Sequence, residues 1–181
     1  MSEAHAVGSF HPLQSFPSPQ TPAAFHGITV GIDANTSGLE RRLGELARDI
    51  GARPRHVGER ERKLYHAAAV IASNHVVALI SEAVRVLEAA GWQEQEAEQA
   101  LVPLVQGTLA NIRQSGVTSA LTGPVRRGDV DTVRRHLQAL GDLPVEVGEL
   151  YRMLGLVALG IAEEAGLDAA AAGRTRRALT R

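Results

Sequence analysis

From Glu59 to Ala90 the chain carries neither Gly nor Pro, with charged residues near both ends and an almost wholly apolar middle. Nothing inside that stretch forces a break, so the pattern predicts one continuous helix. A helix that is apolar all round is normally buried on several sides. The middle nonetheless keeps His66, Ser73, Asn74 and His75. At about 100° per residue, Lys63, His66, Val70, Ser73 and Asn74 share a sector of roughly 100°. That sector is a polar face on a helix expected to be buried. Either another subunit packs there or a site is built there.

The chain before this helix has a different rhythm. Ala4 to Phe10 is short and apolar and runs into His-Pro, which predicts a buried strand entering a loop. The loop, His11 to Pro22, holds four of the eight prolines and is expected to be neither helix nor central strand. Phe25 to Asp33 is β-branched at its centre and predicts a second strand. Asn35-Thr-Ser-Gly38 then starts a helix whose apolar positions are Leu39, Leu43, Leu46, Ala47 and Ile50, with Gly51 as its stop. Ala52 to Val57 predicts a short third strand, at a sheet edge because of Pro54.

Beyond Ala90 no strand is expected. Gln93 to about Gln114 predicts a helix with Leu101, Leu104, Val105 and Leu109 on one face and a candidate kink at Pro103. Ser115 to Gly128 reads as a loop. Asp129 caps a helix from Val130 to Leu140. Pro144 opens another from Val145 to Ala165, and Gly166-Leu-Asp168 opens a last one from Ala169 to Leu179. The fold class is therefore α+β and mostly α. About three strands fall in residues 1–58, and an all-α domain occupies residues 59–181.

Composition narrows the function classes. Hydrophobic residues make up 44% and charged residues 22%, enough to bury an aliphatic core. The net charge of -1 lacks the basic excess of nucleic-acid binders. The one basic cluster, Arg174-Thr-Arg-Arg177 with Arg181, reads as a solvated helix end. With no cysteine there is neither disulfide nor thiolate chemistry. Met1-Ser-Glu-Ala lacks a basic region followed by an apolar run, so no signal peptide is expected. Ser73, Asn74 and His75 interrupt the apolar run from Val70 to Ile80, so no membrane span is expected and the protein is read as cytoplasmic.

Candidate chemistry is sparse. None of the 18 glycines forms the G-x-G-x-x-G turn that a dinucleotide pyrophosphate needs, and no Walker loop occurs. The seven histidines lack H-x-x-x-H spacing, so no metal site is expected. Three local features remain. His11-Pro-Leu-Gln14-Ser-Phe16 follows the first strand, where open α/β sheets bind ligands. It could equally be an ordinary proline-rich connection. Tyr65, His66, Ser73 and Asn74 sit on the long helix, as site residues or as polar residues at a subunit seam. Leu121-Thr122-Gly-Pro-Val-Arg126-Arg127-Gly-Asp129 is a rigid helix–helix loop whose arginines could meet an anion.

Taken together, His-Pro-Leu-Gln-Ser-Phe, Tyr-His-Ala-Ala-Ala-Val-Ile-Ala-Ser-Asn and Leu-Thr-Gly-Pro-Val-Arg-Arg-Gly-Asp resemble a bacterial family of Rossmann-like oxidoreductases of uncertain substrate. Its C-terminal domain is similar to those of 6-phosphogluconate dehydrogenase, ketopantoate reductase and pyrroline-carboxylate reductase. The resemblance runs from about Val7 to Ala165. It implies a Rossmann domain that binds NADP and a helical domain that dimerises and closes the active-site cleft. It makes residues 1–58 the last strands of that sheet, with the glycine turn missing. His66 and Asn74 become the candidate catalytic pair, and His11, Gln14, Tyr65, Ser73, Thr122 and Arg127 the candidate substrate contacts. One departure stands out. The related β-hydroxyacid dehydrogenases carry a Lys four residues before the Asn, where this chain has Val70 before Asn74.

The expected function is the substrate-binding and dimerisation portion of an NADP-dependent oxidoreductase for a small carbonyl or imine compound. It would be inactive unless a separate chain or an upstream segment supplies the nucleotide-binding half. The alternatives are a non-catalytic helical dimer and a small-anion binding module. A homodimer is expected in each of the first two readings, because so long an apolar helix needs a cover.

Overall fold

The computed structural model describes residues 5–18 and 21–180. Ala4 of the first expected strand, the leader reading of residues 1–4, residues 19–20 of the expected loop and Arg181 of the basic end lie outside them. The chain divides into two compact units, Met1–Ala78 and Leu79–Arg181.

The first unit is a three-stranded sheet with helices. β1 (Gly8–Pro12) pairs antiparallel with β2 (Thr29–Ala34), and β2 pairs parallel with β3 (Arg53–His56). β2 is central, so Pro12 and Pro54 both fall on edge strands, where a missing N–H costs no ladder bond. The first expected strand therefore lies further along, and His11 belongs to the strand rather than to the loop after it. That strand is also half exposed instead of buried, because it forms a sheet edge. Phe25 sits in a 3-10 turn, Pro22–Phe25, ahead of β2.

Side chains alternate along a strand, and directly opposed residues share a face. Val30 and Ile32 face α1 (Ser37–Asp49) and make a small core with Ala47 and Ala52. Thr36 caps α1 by accepting the Leu39 N–H at 3.3 Å. The other sheet face holds Gly31, with His11 opposite it, and Asp33, with Ser9 opposite it.

The long stretch after the sheet is two helices, α2 (Glu59–Ala72) and α3 (Asn74–Ala89). Ser73 breaks the rod with φ -122° and ψ -73°. Sequence gave no warning, since no helix breaker stands there. The expectation of burial fails within the chain: Val84 alone is buried along both helices, while Leu64, Ile71 and Val77 are exposed. By length and composition 59–89 is apolar enough to cross a membrane, which the interruption at Ser73, Asn74 and His75 had argued against.

The second unit is all helical. α4 (Glu94–Ala120) leaves helical geometry at Gly116 (φ 78°), not at Pro103. The expected loop from Ser115 is largely helical: α4 runs on to Ala120, and a short α5 (Gly123–Arg127) follows. Next come α6 (Val130–Ala139), α7 (Val145–Glu164) and α8 (Ala169–Leu179). Asp129 caps α6, accepting from the Thr132 N–H at 3.1 Å and from its hydroxyl at 2.8 Å. Those bonds, the hydroxyl first, hold its carboxyl below the ordinary 3.8. Val125, Val133, Leu159, Ala172, Ala178 and Leu179 form the core.

Candidate functional site

α2 brings the chemistry to the sheet. Arg62, Tyr65 and His66 stand at i, i+3 and i+4, so one helix face carries all three. Arg62 pairs with Asp33 at 2.5 Å and ties that face to β2. The Tyr65 hydroxyl donates to the His11 carbonyl at 3.2 Å. Its ring lies over Gly31, where an added Cβ would stand 3.1 Å from Cζ. A side chain there would press on the phenol, which would have to give by a few tenths of an ångström even for a bare Cβ.

The His11 ring meets Tyr65 edge to face at 5.4 Å and His66 at 6.1 Å between centroids. These groups, with Ser9, Lys63, Ile32 and Val57, line a cavity of about 530 Å³. That is the size of a small-metabolite pocket. Desolvation raises the Tyr65 phenol above its ordinary 10.0, opposed by a backbone hydrogen bond at Gly31. The phenol is thus a neutral donor near neutral pH. Two imidazoles, a phenol and the Lys63 ammonium can together hold a polar carbonyl compound and deliver a proton to it.

Tyr65→Phe is expected to cost about 1 kcal/mol in urea denaturation, the worth of one neutral hydrogen bond. The raised phenol also has a pH signature. Stability from keeping Tyr65 protonated is present below pH 10.0 and lost as pH rises through its raised value. The Phe variant should lose less stability on that alkaline limb.

The sequence-predicted residues separate. His11, Tyr65 and His66 come together. Gln14 does not line the cavity; its Oε1 accepts the Ser15 N–H at 2.9 Å within the loop. Ser73 and Asn74 lie at the helix break and do not line it either. Thr122 and Arg127 belong to the second unit, around a concavity of about 670 Å³ shared with Ser119 and Asp168. There Arg126 donates to the Ala165 carbonyl at 3.1 Å, a structural duty. Arg62, Asp33 and Gly31 were not singled out from sequence. Among the described residues no cluster of His, Asp or Glu could hold a metal ion.

The profile of DUF2520, a domain of unknown function, matches residues 28–158. The chain belongs to the DUF2520 family. Among curated proteins none matches it. Two crystal structures share the fold of this DUF2520 chain. One is the Bacteroides fragilis protein BF3122, described as a "putative NADP oxidoreductase". It is 24% identical with a TM-score of 0.72, over 88% of this chain and 59% of that one. The other is TM1727 from Thermotoga maritima, 28% identical with a TM-score of 0.76, over 87% of this chain and 62% of that one. The DUF2520 chain thus spans about three-fifths of the length of each. The fold implied by the three motifs is what these structures share; they do not single out the enzymes named beside it.

NADP needs a cradle for its pyrophosphate, and among the described residues neither turn from a strand into a helix offers one. The β2–α1 turn is occupied by its own chain. Asn35 accepts the Val7 N–H at 2.8 Å and donates to the His5 carbonyl at 3.0 Å, while Thr36 caps the helix. The β3–α2 turn leads into Glu59 and Glu61, whose charges repel a phosphate. These residues do not fit the pyrophosphate.

Proposed function

We propose that this chain supplies the substrate-facing and helical portion of an NADP-dependent oxidoreductase acting on a small carbonyl or imine compound. The cavity between the sheet and α2 supports this reading most, because it gathers His11, Lys63, Tyr65 and His66 around one small volume. Tyr65, whose one O–H is given to the His11 carbonyl, holds the cavity wall in place beside the substrate. His66, backed by His11, gives a proton to that atom as it gains charge. Lys63 holds a substrate carboxylate. Nucleotide binding falls to elements outside these 181 residues. Asn74, away from the cavity lining, drops out of the catalytic pair. NADPH titrated into the chain alone should show no saturable binding in the micromolar range by calorimetry; saturable binding would show that the turns described above do accommodate it.

The same reading includes a homodimer. Leu64, Ile71, Val77, Leu104, Leu109 and Val117 are all large, apolar and exposed. The second unit also carries an apolar concavity of about 680 Å³, lined by Val86, Leu87, Leu101 and Leu154 among others. Patches of this kind mark association surfaces. A second copy fits better than a bilayer, since Lys63, His66, Asn74, His75, Glu82 and Arg85 recur along 59–89. The misfit of the pyrophosphate favours one second reading, a helical dimer without catalysis. His66→Ala separates the two, because only the enzyme reading makes that change costly to function.

A further inference from the structure

We infer that the second unit holds a phosphate-type oxyanion in a cationic pocket between α6, α7 and α8. Arg134 of α6, Arg152 of α7 and Arg177 of α8 line a concavity of about 320 Å³, with Gln138 beside them. Three helices each bring one guanidinium to the same small volume.

The arginines are not spent elsewhere. Arg134 pairs only with Asp131, three residues earlier, in an exposed contact of 3.2 Å. Such pairs are worth little and open readily. The side chains of Arg152 and Arg177 have neither an acidic partner nor a hydrogen bond among the described residues. The Arg152 Nε is buried with no acceptor among the described residues. Buried charged donors are almost always satisfied, so an orphan of this kind points to an absent acceptor. The neighbouring arginines behave differently: Arg126 and Arg176 each have a protein acceptor.

Two of the three arginines lie back along their own helices. A Cβ added at Gly148 would meet Arg152 Nη1 at 3.2 Å, and one at Gly173 would lie 3.5 Å from Arg177 Nη1. Each arginine thus stands four residues after a glycine and lies back along its own helix over the missing side chain. Those two glycines carry ordinary helical φ, so backbone freedom does not explain them. The contact is tight only at Gly148, where the near atom is the end of a flexible side chain; at Gly173 it is an ordinary van der Waals distance.

Three guanidiniums around one volume suit a multiply charged oxyanion, which accepts several charge-assisted bonds at once. The volume admits a phosphate or the phosphoryl end of a small ester. This pocket is separate from the Thr122 and Arg127 concavity, and the inference does not depend on the oxidoreductase reading.

The test uses the full chain at constant ionic strength in chloride buffer, with inorganic phosphate and glucose 6-phosphate as probes. Thermal unfolding should show a saturable rise in Tm with phosphate beyond that of matched chloride. Arg177→Gln, at an exposed position, should weaken binding by about tenfold or more without unfolding the chain. Arg152→Gln should do the same if it folds. Arg174→Gln, outside the pocket, should leave affinity unchanged. Tighter binding of the sugar phosphate would identify an ester as the ligand, and equal binding a free oxyanion. A flat Tm with both probes, or equal losses from Arg174→Gln and Arg177→Gln, would overturn the inference.

Discussion

Gly31→Val is expected to abolish small-ligand binding in the sheet-side cavity while leaving the first unit folded. Gly31 has no positive φ, and valine suits a strand, so the backbone accepts the change. The side chain does not fit. Its Cβ alone would lie 3.1 to 3.3 Å from three atoms of Tyr65, and its methyl groups reach further. The Tyr65 ring must then swing away and give up its bond to the His11 carbonyl. It can only move into the cavity or into solvent. Spectrophotometric titration reads the outcome. The phenol, now raised above 10.0 by burial, should titrate closer to 10.0 in the variant. Gly31→Ala should show a smaller change in the same direction. A valine variant with an unchanged phenol titration would mean that Tyr65 does not rest on Gly31.

Gly128→Val should destabilise the helical unit by about 2–5 kcal/mol, from left-handed strain plus overpacking. Gly128 ends α5 at φ 66°. A β-branched residue is a genuine outlier there. In addition, its Cβ would stand 2.8 Å from the Cβ of Ala171, a buried residue of α8. An alanine Cβ has no torsion by which to retreat, so α5 and α8 must separate. Against a total stability of about 5–15 kcal/mol this is a large fraction. Urea denaturation followed by circular dichroism measures it. A loss below about 1 kcal/mol would show that the α5–α8 contact yields easily.

Much of the fold was legible because local rules and tertiary structure agreed. Thr36 and Gly51 bound α1, Asp129 starts α6, and Asp168 starts α8, each through capping chemistry visible in sequence. The break at Ser73 was not legible, since serine costs a helix little and neither glycine nor proline marks the place where the backbone leaves helical geometry. What covers the long helix was not legible either. Apolarity says that a surface needs a cover, not that the same chain provides it.

The site was legible in part. His11 and Tyr65–His66 stood out as polar residues in apolar or rigid settings. Their meeting depends on strand register, with His11 opposite Gly31, which no local pattern encodes. Gly31 looked like one more strand glycine. Only the phenol above it explains the choice. Ser73 and Asn74 were grouped with His66 by helical periodicity, and that grouping holds only as long as the helix is continuous.

The most direct test of the sheet-side site is chemical-shift mapping on the labelled chain, titrated with pyruvate and with 1-pyrroline as a simple carbonyl acid and a simple imine. Saturable shifts confined to Ser9, His11, Gly31, Lys63, Tyr65 and His66, and lost in Gly31→Val, are the expected result. Shifts clustered only in the second unit, or saturable shifts that survive Gly31→Val unchanged, would contradict it.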